Sequence, residues 1–234
     1  MQYYNYDPQQ PELQTDAFAK PITLTSIFGW MALALGITSA VAVGMYLLLG
    51  FGILPPELYM PLMIGSMVGY FVIFFIINFR VMRQSNKSVL TPFLIYAAMM
   101  GVMLSSIMLY TAIDIIILAF LVSAVLFGAM AAYGAITKHN LTVMGSVASM
   151  AFIGAFILFP ILWFFYNETL YWIITFVMFG AIMLITAYDT WLIQRQIGQG
   201  SMTKNMAIYF AMRLYINFIN IFIRVLIFLS ARRR

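Results

Sequence analysis

Seven apolar runs occupy almost all of this chain, and each is long enough to cross the ~30 Å hydrocarbon core of a bilayer. They cover residues 22–50, 58–80, 90–112, 114–136, 142–166, 168–193 and 205–230. Lipid offers no hydrogen bonds to a backbone, and the runs are too long for barrel strands, so each is expected to be a helix. Composition agrees: 64% of residues are hydrophobic and 8% charged, against about 25% charged in a soluble domain. The chain therefore reads as an all-α membrane protein, with residues 21–234 as a single seven-helix transmembrane domain. Residues 1–20 are polar, and acidic where a signal peptide would be basic. They read as a tail, not a cleaved leader. Cysteine is absent, which excludes disulfides, thiolate metal sites and a cysteine nucleophile.

The breaks between runs are short. Ile53-Leu54-Pro55-Pro56-Glu57 ends the first and Gln84-Ser85-Asn86-Lys87-Ser88 the second. Thr91-Pro92 reads as an N-cap followed by proline at the first helical position. Asp114 and Asn167-Glu168 mark tight turns, and Gly198-Gln199-Gly200-Ser201 forms the loop before the last helix. Pro160 is expected to kink the fifth helix. Three pairs of small residues at four-residue spacing, Gly101/Ser105, Gly128/Ala132 and Gly145/Ser149, are expected to let helix backbones pack closely. The 19 methionines read as gap fillers.

Loop charges separate by side. Lys20, Arg80, Arg83, Lys87, Lys138, Arg195 and Lys204 fall on the side of the N-terminus, and Glu57, Asp114 and Glu168 on the other. The positive-inside rule then makes the N-terminus cytoplasmic. Arg232-Arg233-Arg234 breaks this pattern, so either the last run is re-entrant or its translocation overrides the rule.

A charge inside a bilayer costs ~2.5–3.5 kcal/mol even on lenient insertion scales, which makes each one a functional hypothesis. At about 100° per residue, Arg213, Asn217, Asn220 and Arg224 fall on one stripe of the last helix, among Leu, Ile, Phe and Val. Lipid would not tolerate that stripe, so the helix must be central, or must face a pore. The stripe is either a hydrogen-bonded seam between helices or a path for a solute. Asp189, near the end of the sixth helix, lies at a similar depth to Arg80, and Arg213 is also within reach. The alternative is a carboxylate that points to cytoplasmic water.

Several stretches together resemble a known family. Ala187-Tyr188-Asp189-Thr190 is similar to the YDT signature in the sixth helix of the transmembrane Bax-inhibitor-motif family. Leu214-Tyr215-Ile216-Asn217-Phe218-Ile219-Asn220 resembles the LYLDFIN motif of its last helix. The run Phe127-Gly128-Ala129-Met130-Ala131-Ala132-Tyr133-Gly134, with Thr137-Lys138, Leu141 and Met144-Gly145-Ser146, resembles the bacterial branch, as does Phe28-Gly29-Trp30-Met31-Ala32-Leu33. The likeness spans nearly everything after the tail.

The resemblance implies a bundle with the last helix enclosed by the other six, set in a bacterial inner membrane. It implies a calcium leak that responds to pH through two aspartates sharing a proton, with an arginine of the second helix latching the closed state. It also implies roles in stress or cell-death responses, or in restraining a membrane protease. Carried onto this chain, the first aspartate is Asp189 and the arginine is Arg80. The second aspartate falls on Asn217, and Arg213 stands where the family tends to have a small polar residue. Paired carboxylates can titrate near neutrality, whereas Asn cannot titrate and offers calcium only a carbonyl oxygen. Asp189 remains as the carboxylate ligand available to calcium, and Arg213 would repel that ion.

Two readings follow. The first is an ion leak, calcium permeable, with altered pH sensing. The second is an embedded interaction protein that modulates a membrane protease or another membrane partner. No cofactor is implied beyond calcium as a transported ion, and no nucleic acid. Enzyme readings do poorly. His139, the single histidine, lies in a loop and leaves an intramembrane serine without a base. An aspartyl protease would need a second helix-borne aspartate. A retinal protein would need a lysine in the last helix, where this chain has Arg.

Overall fold

The computed structural model describes residues 22–83, 88–158, 160, 165 and 167–231. The N-terminal tail, Lys20, the loop cation Lys87 and Arg232-Arg233-Arg234 lie outside the described residues. Among the described residues seven α-helices alternate in direction: α1 (Leu24–Gly50), α2 (Pro56–Met82), α3 (Leu90–Tyr110), α4 (Ile113–Ile136), α5 (Thr142–Leu158), α6 (Glu168–Gly198) and α7 (Lys204–Ala231). Six are long and apolar enough to cross a membrane, and α5 is a shorter apolar helix. No strand occurs among the described residues.

Local chemistry sets the helix ends. Thr23 and Ser26 form a reciprocal capping box at the start of α1. Pro55 and Pro56 open α2, where the missing N–H groups have no intrahelical acceptor in any case. Asn167 caps α6 by accepting from the Leu170 N–H at 3.0 Å. Glu57, Asp114 and Glu168 each sit in the first turn of α2, α4 or α6, at one end of the bundle, where a negative charge favours the helix dipole. Gly200, with φ at +65°, takes the left-handed turn between α6 and α7.

Two boundaries differ from the sequence expectations. α3 begins at Leu90, whose N–H donates to the Ser88 hydroxyl oxygen at 3.2 Å, so Thr91 is helical and not a cap. Pro92 still falls in the first turn, where it removes no intrahelical hydrogen bond. α5 stops at Leu158, and Pro160 lies beyond its end instead of kinking it. Proline disfavours helical backbone at the residue before it. At 17 residues α5 is about 25 Å long, shorter than its neighbours.

α7 is the centre of the bundle. In its most apolar window 56% of residues are buried inside the protein, against 11–39% for the other five long helices. α1, α2, α3, α4 and α6 pack directly on it, and α5 packs on α6. It is one uninterrupted helix of 28 residues, which disposes of the re-entrant alternative. Aromatic side chains fill the space around it. Tyr70 stacks on Tyr96 at 4.2 Å, and Tyr96 meets Tyr215 edge-on at 6.1 Å, joining α2, α3 and α7. Phe120 and Phe127 of α4 both meet the Phe218 ring at 5.5–5.6 Å.

Two of the three small-residue pairs pack as expected. A Cβ at Gly101 would meet the Thr38 carbonyl and the Val41 side chain of α1, and one at Gly145 would strike the Tyr188 ring. Gly128 and Ala132 instead face outward, with open space around Gly128. On α4 the buried face runs through Ser123, Phe127, Ala131 and Gly134. A Cβ on Gly134 would drive into the backbone carbonyl of Ala187 on α6.

Gly134→Ala is therefore expected to lower the melting temperature of the detergent-solubilised protein by roughly 5 °C, the size of an overpacking defect. Gly154→Ala, where open space surrounds the glycine, should leave it unchanged. Equal melting curves for the two variants would remove the close α4–α6 contact.

Candidate functional site

The polar stripe of α7 follows from helical spacing, because residues three and four apart stand on one face. α6 runs antiparallel beside it and presents Asp189, which is fully buried. Arg213 Nη2 donates to Asp189 Oδ1 at 2.5 Å, and Asn217 Nδ2 donates to Oδ2 at 2.9 Å. Each carboxylate oxygen thus has its own donor, and the two donors lie one turn apart on the central helix. The Asp189 side chain is 1% exposed and that of Arg213 30%, so the pair is closed on the aspartate side. The Arg213 guanidinium also stands 5.9 Å from the Phe210 ring centroid.

The neighbouring threonines leave this pair to itself. The Thr186 hydroxyl donates to the Ile182 carbonyl at 2.8 Å and Thr190 to Thr186 at 3.0 Å, both within α6. Farther along α7, Asn220 donates to the Ile216 carbonyl of its own helix at 2.9 Å. Arg224 is buried, and its Nη2 reaches the Met178 sulfur of α6 at 3.2 Å. Of the four stripe residues, Arg213, Asn217 and Arg224 therefore engage α6, while Asn220 is satisfied locally.

Arg80 is not brought to Asp189. Its Nη1 donates to the Ser88 carbonyl at 3.2 Å, across the turn between α2 and α3. α2 packs on α3 and α7, while Asp189 lies on α6 behind Arg213. The alternative that Asp189 points to water also fails, since the carboxylate is enclosed. A calcium ion takes six to eight oxygen ligands. No group of three metal-binding side chains occurs among the described residues. To reach Asp189, a cation would first have to displace Arg213.

Polar links between other helices escaped the sequence reading. Tyr215 of α7 shares a hydrogen bond of 2.7 Å with Thr38 of α1, whose hydroxyl also lies 2.9 Å from the Ala34 and Ala97 carbonyls. Tyr209 donates to Asn78 Oδ1 of α2 at 3.1 Å. The buried series Ile27, Met31, Ala34, Thr38 and Ala42 carries helical spacing, and that signal places Thr38 on the inward face of α1. An apolar cavity of about 330 Å³ lies between α1, α3, α4 and α7 around Thr38, apart from Asp189.

Comparison with known proteins gives the same affiliation as the motifs. Residues 21–234 match the family model described as inhibitor of apoptosis-promoting Bax1. The inner membrane protein YbhL of Escherichia coli is 29% identical over 219 residues, covering 90% of this chain and 92% of that one. The protein RP147 of Rickettsia prowazekii is 30% identical over 223 residues, covering 90% and 89%. YrjE of Lactococcus lactis is 34% identical over 146 residues, covering 61% and 62%.

Breaking a buried ion pair from one side leaves an uncompensated charge and costs about 3–5 kcal/mol. Arg213→Met should therefore destabilise the bundle by about 3 kcal/mol. Adding Asp189→Asn should recover most of that loss, giving strong coupling in a double-mutant cycle measured by thermal unfolding. Arg80→Gln, which loses one hydrogen bond to a loop carbonyl, should stay within about 1 kcal/mol of the parent. Additive losses at 189 and 213 would contradict the pairing.

Proposed function

The chain belongs to the Bax inhibitor family of integral membrane proteins, and from that premise we propose that it is an ion-leak protein of a bacterial inner membrane, permeable to calcium. Its closed state is held by the Asp189 latch. The observation that carries this reading is the burial of Asp189 between Arg213 and Asn217, both donated by the central helix. A passage along α7 has to disturb this pairing, because α7 is the helix on which five of the others pack. Protonation of Asp189 would remove the charge that attracts Arg213, which couples acid to opening.

Asn217 and Arg213 set how this chain would differ from a two-aspartate sensor. Two adjacent carboxylates repel and share a proton, and that is what sharpens a pH response. Here the neighbours of Asp189 are a carboxamide and a guanidinium, neither of which shares a proton with it. The positive-inside rule puts Arg83, Lys138, Arg195 and Lys204 at the cytoplasmic face. The relative named as an inner membrane protein, YbhL of Escherichia coli, supports the compartment.

Calcium influx into liposomes holding the purified protein, scanned from acid to alkaline pH, tests this. The parent should conduct weakly and open at the acid end. Asp189→Asn should conduct at all pH values with the acid step lost. Asn217→Asp with Arg213→Ser should move the acid step toward neutrality. No flux above empty liposomes for any of the three would overturn the leak, and leave a membrane-embedded interaction protein with a structural seam.

A further inference from the structure

A second cavity, of about 340 Å³, opens at the basic end of the bundle where the α4–α5 loop meets the last turns of α6. Unlike the apolar cavity around Thr38, it is lined by hydrogen-bond donors and two cations: Thr137, Lys138, Asn140, Gln194 and Arg195, over a wall formed by Trp191. No acidic side chain is among the described residues that line it. Lys138 and Arg195 come from different elements and converge on one space, with no ion pair to either among the described residues.

The lining is arranged to donate. The Thr137 oxygen already accepts from the His139 N–H at 3.4 Å, so its hydroxyl hydrogen is left to donate outward. Asn140 Oδ1 accepts from both the N–H and the hydroxyl of Thr142, at 3.0 and 2.6 Å, which leaves its NH2 group as the donor. Arg195 is steadied by the Trp191 ring, with its guanidinium carbon 5.3 Å from the ring centroid, and Trp191 in turn stacks on Tyr188 at 6.0 Å. A guanidinium, an ammonium and neutral donors around a void match a phosphate oxyanion. Trp191 stands about two turns before the end of α6, close to the end of its apolar stretch, where aromatic side chains border the headgroup level.

We propose that this cavity is a binding site for an anionic phospholipid, with the headgroup phosphate held by Lys138 and Arg195. Position decides for a lipid over a soluble phosphate ester. The cavity sits at the end of spanning helices, where basic pockets between transmembrane helices meet anionic headgroups. Trp191 lies two residues from Asp189, on the same stretch of α6 that contacts Gly134 and Gly145. An occupied cavity would therefore brace α4 and α6 beside the buried pair. The proposal does not need the chain to conduct ions, since binding is read separately from flux.

The test is lipid retention by the purified full-length protein in detergent, read by native mass spectrometry. Dioleoyl phosphatidylglycerol is titrated against dioleoyl phosphatidylcholine, at low and at moderate salt. The parent should retain phosphatidylglycerol preferentially. Lys138→Gln and Arg195→Gln should each weaken retention roughly fivefold, the share of one surface cation. The exposed control Arg83→Gln, on the same end of the bundle, should retain the lipid as the parent does. Equal retention by the parent and by the Lys138→Gln/Arg195→Gln double variant would overturn the site. Loss of the lipid from Arg83→Gln to the same extent would overturn it too, by reducing the effect to general surface charge. Displacement of the lipid by millimolar inorganic phosphate alone would overturn the lipid assignment in favour of a soluble anion.

Discussion

A helix carrying two guanidinium groups and two carboxamides cannot stand against lipid, and α7 carries all four on one stripe. The bundle answers by wrapping that helix and giving its stripe partners from α6. Asp189 is the counterpart with the opposite charge, and its two oxygens are divided between two consecutive turns of α7. The pairing fixes the register of α6 against α7 along their length. Eleven residues separate Asp189 from Met178 on α6, and eleven separate Arg213 from Arg224 on α7, where the second cross-helix contact falls. A slip of one turn would leave one of the two buried carboxylate oxygens without its donor.

The rest of the core is arranged around the same helix by weaker and more numerous contacts. Tyr215 carries a hydrogen bond to α1 and two edge-on ring contacts to α3, so one side chain ties three helices. Phe218 does the same for α4 by ring contact alone. These residues alternate with the polar stripe along α7, and the helix is amphipathic in an unusual sense. Both of its faces are buried, one against apolar helices and the other against polar partners.

Much of this was legible in the sequence, for reasons that can be traced to residues. Helix number and extent follow from apolar run length, because bilayer thickness sets a length scale that no soluble core imposes. The central place of α7 follows from its four polar residues at helical spacing. What composition could not show is which cation meets Asp189. Arg80 and Arg213 lie at similar depths along the chain's crossings, and depth is all that spacing gives. Lateral neighbourhood decides between them, and that depends on α2 packing against α3 and α7. The same blindness covers Gly128 and Gly134. Both are glycines of α4, and only the rotation of that helix tells which one meets α6. Pro160 misled for a different reason: the apolar run continues past it, so hydropathy carried the helix through a residue that ends it.

The Gly134 contact has a mechanical consequence. With backbone set against the Ala187 carbonyl on one side, and the Tyr188 ring lying over Gly145 on the other, α6 is keyed into α4 and α5 at successive residues. A helix held at two adjacent points on different flanks resists turning about its own axis. α4, α5 and α6 then form one interlocked slab, and α7 lies against it across the Asp189 pair. Asp189, which grips α7, follows directly on the two keyed residues of α6, so the side chain that holds the central helix is anchored where its own helix is held most tightly.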